Sequence, residues 1–200
     1  MNLHGIVAGQ ISSVNPFLLA SVQISTAQGA TTADGLRAPA FATPGSITAS
    51  IAGDVLTVSA VAQGTLLIGQ ALADLTAALL PGTSITGQLR GSLGGVGTYS
   101  VSRAQTVVSE TMTTALILRA QVQPMTWRDL QQVSGLNLQG TRRKIYLFGR
   151  VDGIVRVLHK GGDLITIATG GVNDGVYLVA QVLEQWPDWV SVAATLQDGV

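Results

Sequence analysis

The sequence predicts an all-β protein: a small β-barrel or sandwich base with one short helix, and a second all-β domain inserted into it. Three observations carry this. The apolar residues are mostly Val, Ile, Leu and Ala interleaved with Thr, Ser and Gly, and β-branched side chains suit pleated, half-buried strands. Short alternating segments recur between glycine-containing turns, as they do in small all-β domains. Only 11% of the residues are charged and 4% are aromatic. A soluble monomer carries more surface charge than that, so much of this surface is expected to be covered by neighbouring subunits.

The elements follow in chain order. Phe17 to Thr26 reads as a strand, Gln28 to Arg37 as a turn, and Arg37 to Ala42 as a proline-containing edge strand. From residue 44 the texture changes: up to residue 116 the basic residues are Arg90 and Arg103, and Gly, Thr, Ser and Ala dominate. Alternating segments lie at Ile47 to Ile51, Val55 to Val61, Thr83 to Leu89, Thr98 to Ser102 and Thr106 to Thr113. Turn residues separate them at Gly53-Asp54, Pro81-Gly82 and Gly94 to Gly97. Ala71 to Leu80 fits a strand or one short helix, and the pattern does not separate the two. Ala115 to Val122 is a strand again. Thr126 to Val133 reads as a helix with Thr126 as N-cap, Asp129 completing an acidic capping box, and Gly135 as its end. Five further strands are expected: Lys144 to Phe148, Ile154 to Leu158, Leu164 to Ile167, Val176 to Leu183 and Trp189 to Leu196. The predicted division is a discontinuous base of residues 1–43 and 117–200 and an inserted domain of residues 44–116. Insertions at a surface turn between paired strands are well tolerated.

With 46% hydrophobic residues the 200-residue chain can bury a real core. Its formal net charge is zero, so the chain as a whole is no obvious nucleic-acid or membrane binder. There is no cysteine, which removes disulfides and thiolate metal sites and leaves the redox compartment undetermined. The start has no basic segment followed by a long apolar one, so no signal peptide is expected. No apolar run approaches the roughly 20 residues that span a bilayer. The expected location is a cytoplasm, or a particle assembled there.

Catalytic chemistry finds little footing. A zinc site would need His4 and His159 together with carboxylates; exposed histidines are the simpler reading. No Gly-x-Ser-x-Gly elbow occurs. The acids are scattered singly, mostly in turns such as Asp152-Gly153 and Gly162-Asp163, where turn formation is their simplest role. Gly91 to Gly97 lacks the Lys-Ser/Thr of a phosphate loop and reads as a hairpin turn. The expectation is a protein without catalytic residues, cofactor or metal.

Two features point to contacts instead. Arg142, Arg143, Lys144, Arg150, Arg156 and Lys160 hold six of the eleven basic residues. On strands, alternate members share a face that either meets DNA phosphates without sequence preference or forms a solvated or intersubunit salt-bridging surface. Trp186 and Trp189 flank Pro187-Asp188 at the start of the last strand, and Trp127 opens the helix. These tryptophans are core residues or aromatic anchors at a subunit interface.

The flanking regions carry a resemblance. Met1 to Pro16 (MNLHGIVAGQISSVNP), Arg119 to Gln132, Gly135 to Arg143, Gly161 to Thr166 and Glu184 to Trp189 resemble a family of neck or collar proteins from tailed bacteriophages. The resemblance covers roughly residues 1 to 43 and 117 to 200, and the chain departs from the family pattern by inserting the middle region. Within that insertion, Gly69-Gln70, Gly82 to Ile85, Gly94 to Ser102 and Gln105 to Val107 are similar to small β modules of phage tail and fibre proteins.

The resemblance implies a virion structural protein at the head-to-tail junction, assembled in a bacterial cytoplasm. Its partners would be itself, in a six-fold or twelve-fold ring, the portal or head–tail adaptor, and tail or gateway proteins. Packaged DNA would meet the ring without sequence preference, no membrane would be involved, and the insertion would project outward. Met1 to Pro16 is expected to order on assembly. The rival reading is a carbohydrate-binding or adhesive module in the middle region, which Tyr99, its one aromatic residue, supports poorly.

Overall fold

A computed structural model describes residues 15–26, 40–74, 76–134, 140–155 and 160–197. The expectations for Met1 to Pro16 as far as residue 14, for the turn Gln28 to Arg37, for Gly135, for both histidines and for Arg156 therefore lie outside the described residues. The protein is all-β, with one short helix among the described residues, and every ladder with a stated register is antiparallel. It divides into two compact units, residues 1–41 with 118–200 and residues 42–117.

The unit of residues 42–117 is built from β4 (Gly45–Gln63), β5 (Gln70–Asp74), β6 (Ile85–Gly91) and the first part of β7 (Gly97–Gln123). β4 folds back on itself at Gly53-Asp54. Gly53 has a positive φ of 65°, which glycine adopts without strain. Across the bend the Ser59 hydroxyl donates to the Thr48 carbonyl at 3.1 Å, and the Gln63 amide donates to the Pro44 carbonyl at 3.4 Å. An extended chain would hold either pair more than about 30 Å apart, so the two arms of β4 form a hairpin.

β7 reverses too. Its residues 97–101 pair with β6 and its residues 112–116 with β5, both antiparallel. β5 and β6 are themselves antiparallel neighbours, joined by Leu72 N–H to Thr83 and Gly69 N–H to Ile85, each 2.8 Å. The two parts of β7 must therefore run in opposite senses. The turn falls where its pairing with β4 jumps from Gly53↔Gln105 to Val55↔Ser100. Six arms thus form a closed circuit of pairs: β5, β6, early β7, late β4, early β4, late β7 and back to β5. Alternation turns Ile47, Ala49 and Ile51 inward, then Leu56 and Val58 past the bend. They meet Ile85, Tyr99, Val101, Val107 and Met112 in one core, each large side chain contributing roughly 1.5–3 kcal/mol by leaving water.

Ala71 to Leu80 is not helical. After β5, the Asp74 carboxylate accepts the N–H groups of Ala78 and Leu79 at 2.7 and 2.9 Å. The Ala78 N–H is the one a helix would have given to the Asp74 carbonyl.

The other unit contains β1 (Leu18–Gln23), β2 (Ser25–Thr26), β3 (Ala40–Phe41), the end of β7, α1 (Trp127–Val133), β8 (Arg142–Leu147), β9 (Leu164–Ile167), β10 (Gly175–Gln185) and β11 (Val190–Leu196). Its ladders run β1-β9-β10-β11-β8-β7, and β1 also pairs with β7, so this circuit returns to its first strand as well. Rows of buried side chains cross it: Ala120 with Leu147 and Val190, Val122 with Ile145 and Val192. α1 starts with the expected box, in which the Thr126 hydroxyl accepts the Asp129 N–H and the Asp129 carboxylate accepts the Thr126 N–H.

Of the expected strand Ile154 to Leu158, only Ile154 and Val155 are described, and Val155 forms one isolated bridge with Lys160; the rest of it lies outside the described residues. Gly153 presses on β10, where a Cβ would lie 3.1 Å from the Gln181 Cα, and Ile154 N–H donates to the Ala180 carbonyl at 3.2 Å. These contacts hold Gly153 and Ile154 against β10.

Candidate functional site

The basic residues do not assemble into one exposed face. Lys144 corrects that expectation most directly: it is 8% exposed. On β8, Lys144, Tyr146 and Phe148 alternate with the inward Ile145 and Leu147, so they share the outer side. There α1 covers Lys144. Its ammonium lies 3.1 Å from the Asp129 carboxylate and 5.2 Å from the centre of the Tyr146 ring. Burial alone would lower the Lys144 pKa, but Tyr146 and Asp129 outweigh it and hold the ammonium above its ordinary value. Burial would likewise raise the Asp129 carboxyl; the Thr126 hydroxyl and N–H and the Lys144 charge outweigh it, so Asp129 titrates below the ordinary carboxylate range. The same carboxylate therefore caps the helix and neutralises the lysine beneath it.

The remaining basic residues go elsewhere. Arg143 is half-buried, and its guanidinium donates to the Arg142 carbonyl at 3.3 Å. Arg142 is half-buried as well. Arg150 lies 3.8 Å from Asp152, an exposed pair worth little. Lys160 lies 2.7 Å from the other Asp152 oxygen.

Asp152 and Lys160 belong to a clasp centred on Asp163, a residue whose role the sequence did not reveal. Asp163 is 2% exposed. One of its carboxylate oxygens accepts the Ser25 N–H and the other the Asp152 N–H, both at 2.7 Å. Its own backbone continues the join, with Asp163 N–H donating to the Asp152 carbonyl and Val179 N–H to the Asp163 carbonyl. Burial pushes the Asp163 carboxyl above its ordinary value, against the pull of those donors and of Lys160. Gly162 beside it has no room for a side chain: a Cβ would sit 1.7 Å from the Val179 carbonyl oxygen. The Gly-Gly-Asp run thus ties β2, the segment after β8 and β10 together.

The tryptophans are not core residues. Trp127 is 75% exposed and Trp186 58%, while Trp189 is half-buried. Trp186 N–H donates to the Trp189 carbonyl across Pro187-Asp188 and closes the β10–β11 hairpin. This turn brings the two indoles into a stack, 5.9 Å apart and 14° from parallel, and Trp189 packs against Tyr146 at 5.9 Å.

Sequence reasoning missed a second aromatic group. The Arg119 guanidinium lies 4.5 Å from the Phe148 ring centre and 5.2 Å from that of Phe17, and the two rings meet edge to face. No local signal joins residues so distant along the chain.

The Gly91 to Gly97 segment is a turn between β6 and β7, closed by Ser92 N–H to the Val96 carbonyl at 3.0 Å. Among the described residues no group of three or more His, Asp or Glu could hold a metal, and no helix is long and apolar enough to cross a membrane. No family model, no curated protein and no solved structure matches the chain.

Proposed function

We propose that the chain is a structural protein of a tailed-phage virion. In this reading it is a collar or neck subunit that forms a six-fold or twelve-fold ring between the head-side connector and the tail, around the DNA channel, and it performs no catalysis. One observation carries the reading. Three of the five stretches that resemble neck proteins fall on joints of one unit: the Thr126–Asp129 box that meets Lys144, the Gly161–Asp163 clasp and the Glu184–Trp189 turn. Likeness at joints fits a protein selected for shape. The low charge of the chain supports it, since covered surfaces need few charges.

DNA contact, if the ring surrounds DNA, falls to residues other than Lys144 and Lys160, whose charges are matched by Asp129 and Asp152. A sugar platform in the inserted unit finds no support, because Tyr99 is 2% exposed and packed in the core. Quantitative mass spectrometry of purified virions tests the neck reading. The expected result is a fixed stoichiometry of six or twelve copies per particle; a particle without the chain would sink it.

A further inference from the structure

The β10–β11 hairpin presents an indole face to solvent. Trp186 is 58% exposed although it stacks on Trp189. Trp189 rests in turn on Tyr146, so Trp186 is the outer ring of a backed stack. The stack and the hairpin bond from Trp186 N–H to the Trp189 carbonyl fix that ring before any partner arrives, which lowers the entropy cost of binding to it.

Contacts also fix the side on which Glu184 stands. Val190 is buried in the core and pairs with Gln185. Trp189 and Ser191 flank Val190 in sequence and so point the other way, outward. The Glu184 carboxylate accepts the Ser191 hydroxyl at 3.2 Å, and Trp186 stacks on Trp189. Glu184 and Trp186 therefore share that outer side of one hairpin. Two residues apart on extended chain, their Cα atoms lie about 7 Å from each other.

No cation of the unit serves this pair. Glu184 is exposed and makes no ion pair with a described residue. No Lys or Arg follows Lys160 in the chain. On the adjoining β8, Lys144 is committed to Asp129, while Arg142 and Arg143 pair in register with Thr195 and Ala194, at the end of β11 away from the turn. Arg150 pairs with Asp152. Other rings outside the core already hold cations: the Lys144 ammonium lies 5.2 Å from the centre of Tyr146, and the Arg119 guanidinium 4.5 Å from that of Phe148. Trp186 offers the ring type that attracts a cation most strongly, with an unneutralised carboxylate beside it.

We propose that Trp186 and Glu184 form a docking site for an arginine side chain of a partner protein. The guanidinium stacks on the indole, and its edge donates to the carboxylate along the strand. Charge decides the class of partner: the carboxylate repels nucleic-acid phosphate and favours a basic protein segment. The site rests on one hairpin and goes beyond the neck reading, standing whether or not the chain belongs to a virion.

NMR titration of the full chain is the test, read on the indole N–H signals. A blocked peptide, acetyl-Gly-Arg-Gly-Arg-Gly-amide, is expected to shift the Trp186 and Trp189 signals saturably at about millimolar concentration. Its analogue with citrulline in place of arginine, similar in shape but uncharged, should shift neither. Glu184→Gln keeps an acceptor for the Ser191 hydroxyl and should weaken peptide binding by about fivefold to tenfold. Trp186→Ala should abolish the Trp189 shift while circular dichroism stays that of wild type. Asp54→Asn, in the other unit, should change nothing. The proposal is overturned by a peptide that shifts neither signal, by equal shifts with the citrulline analogue, or by Glu184→Gln and Asp54→Asn acting alike. Shifts with chitotetraose and none with the peptide would overturn it too, and would assign the indoles to a sugar.

Discussion

Gly162 and Gly170 show how differently one residue type can be required. Gly162 is needed for space, because the Val179 carbonyl occupies the volume a Cβ would fill. Gly170 is needed only for its φ of 82°, with nothing within 4 Å of a Cβ. Gly162→Ala is therefore expected to cost about 3 kcal/mol or more, and Gly170→Ala about 1 kcal/mol; urea unfolding midpoints would separate the two. Asp163 adds a pH dependence. Its folded-state pKa is raised by burial, so the folded protein takes up the proton first. Stability from this group grows as pH falls from above the raised value toward the ordinary carboxylate range. Asp163→Asn removes that gain and turns an N–H toward one of two backbone donors, at a cost of about 2 kcal/mol near neutral pH. The gap between wild type and variant should widen between pH 7 and about pH 4, measured by urea unfolding at both. The sequence marked Gly161-Gly162-Asp163 as a turn, which is right as far as local chemistry goes. Its second role depends on Ser25 and Asp152, brought in by folding.

At the scale of elements, α1 separates local from tertiary information. Thr126 and Asp129 sit at capping-box spacing, and both hydrogen bonds of the box form. Four residues contain everything needed to foresee that. By sequence Lys144 belongs with its neighbours to a basic strand face, and its alternation on β8 is as expected; what the strand period cannot say is that a helix carboxylate meets that position. Thr126→Ala should cost about 1 kcal/mol. Asp129→Ala should cost about 3 kcal/mol, because it removes the cap and leaves Lys144 buried without its counter-charge. The Asp129 pKa is lowered in the folded state, so its stabilisation is present above the ordinary carboxylate range and is lost as pH falls through the lowered value. Asp129→Asn should lose less stability than wild type on acidification, read from thermal melts between about pH 5 and pH 2.

For the whole molecule, the change of texture near residues 43 and 116 and the division at residues 41 and 118 are two views of one chain. The Gly53-Asp54 reversal was legible because glycine and aspartate mark turns. The β7 reversal was not: Val101 to Gln105 contains no glycine, proline, asparagine or aspartate, and it bends because β4, β5 and β6 claim its two halves from opposite directions. The Arg119 group was invisible for the same reason, since its three members come from β7, the approach to β1 and the end of β8. The circuit of the inserted unit uses only residues 45–116, and its core is its own. A fragment of residues 42–117 is accordingly expected to fold alone, with dispersed amide resonances and a cooperative melt; a collapsed amide spectrum would contradict it.

The ladder between β1 and β9 also sets a schedule for synthesis. Ala20 finds its partner in Ile167, so β1 leaves the ribosome long before the strand that must lie beside it. At typical translation speeds that wait is roughly ten seconds, during which the edge of β1 that will meet β9 presents unpaired backbone. The inserted unit, complete by residue 116, closes within that interval. A ribosome-stalled chain ending near residue 160 should already protect residues 45–116 from protease while residues 18–23 are still cut. The late-arriving C-terminal strands then act as the latch on a fold whose first strand was made at the outset, and truncation at that end should leave polysomes carrying a finished middle and an adhesive, unfinished rim.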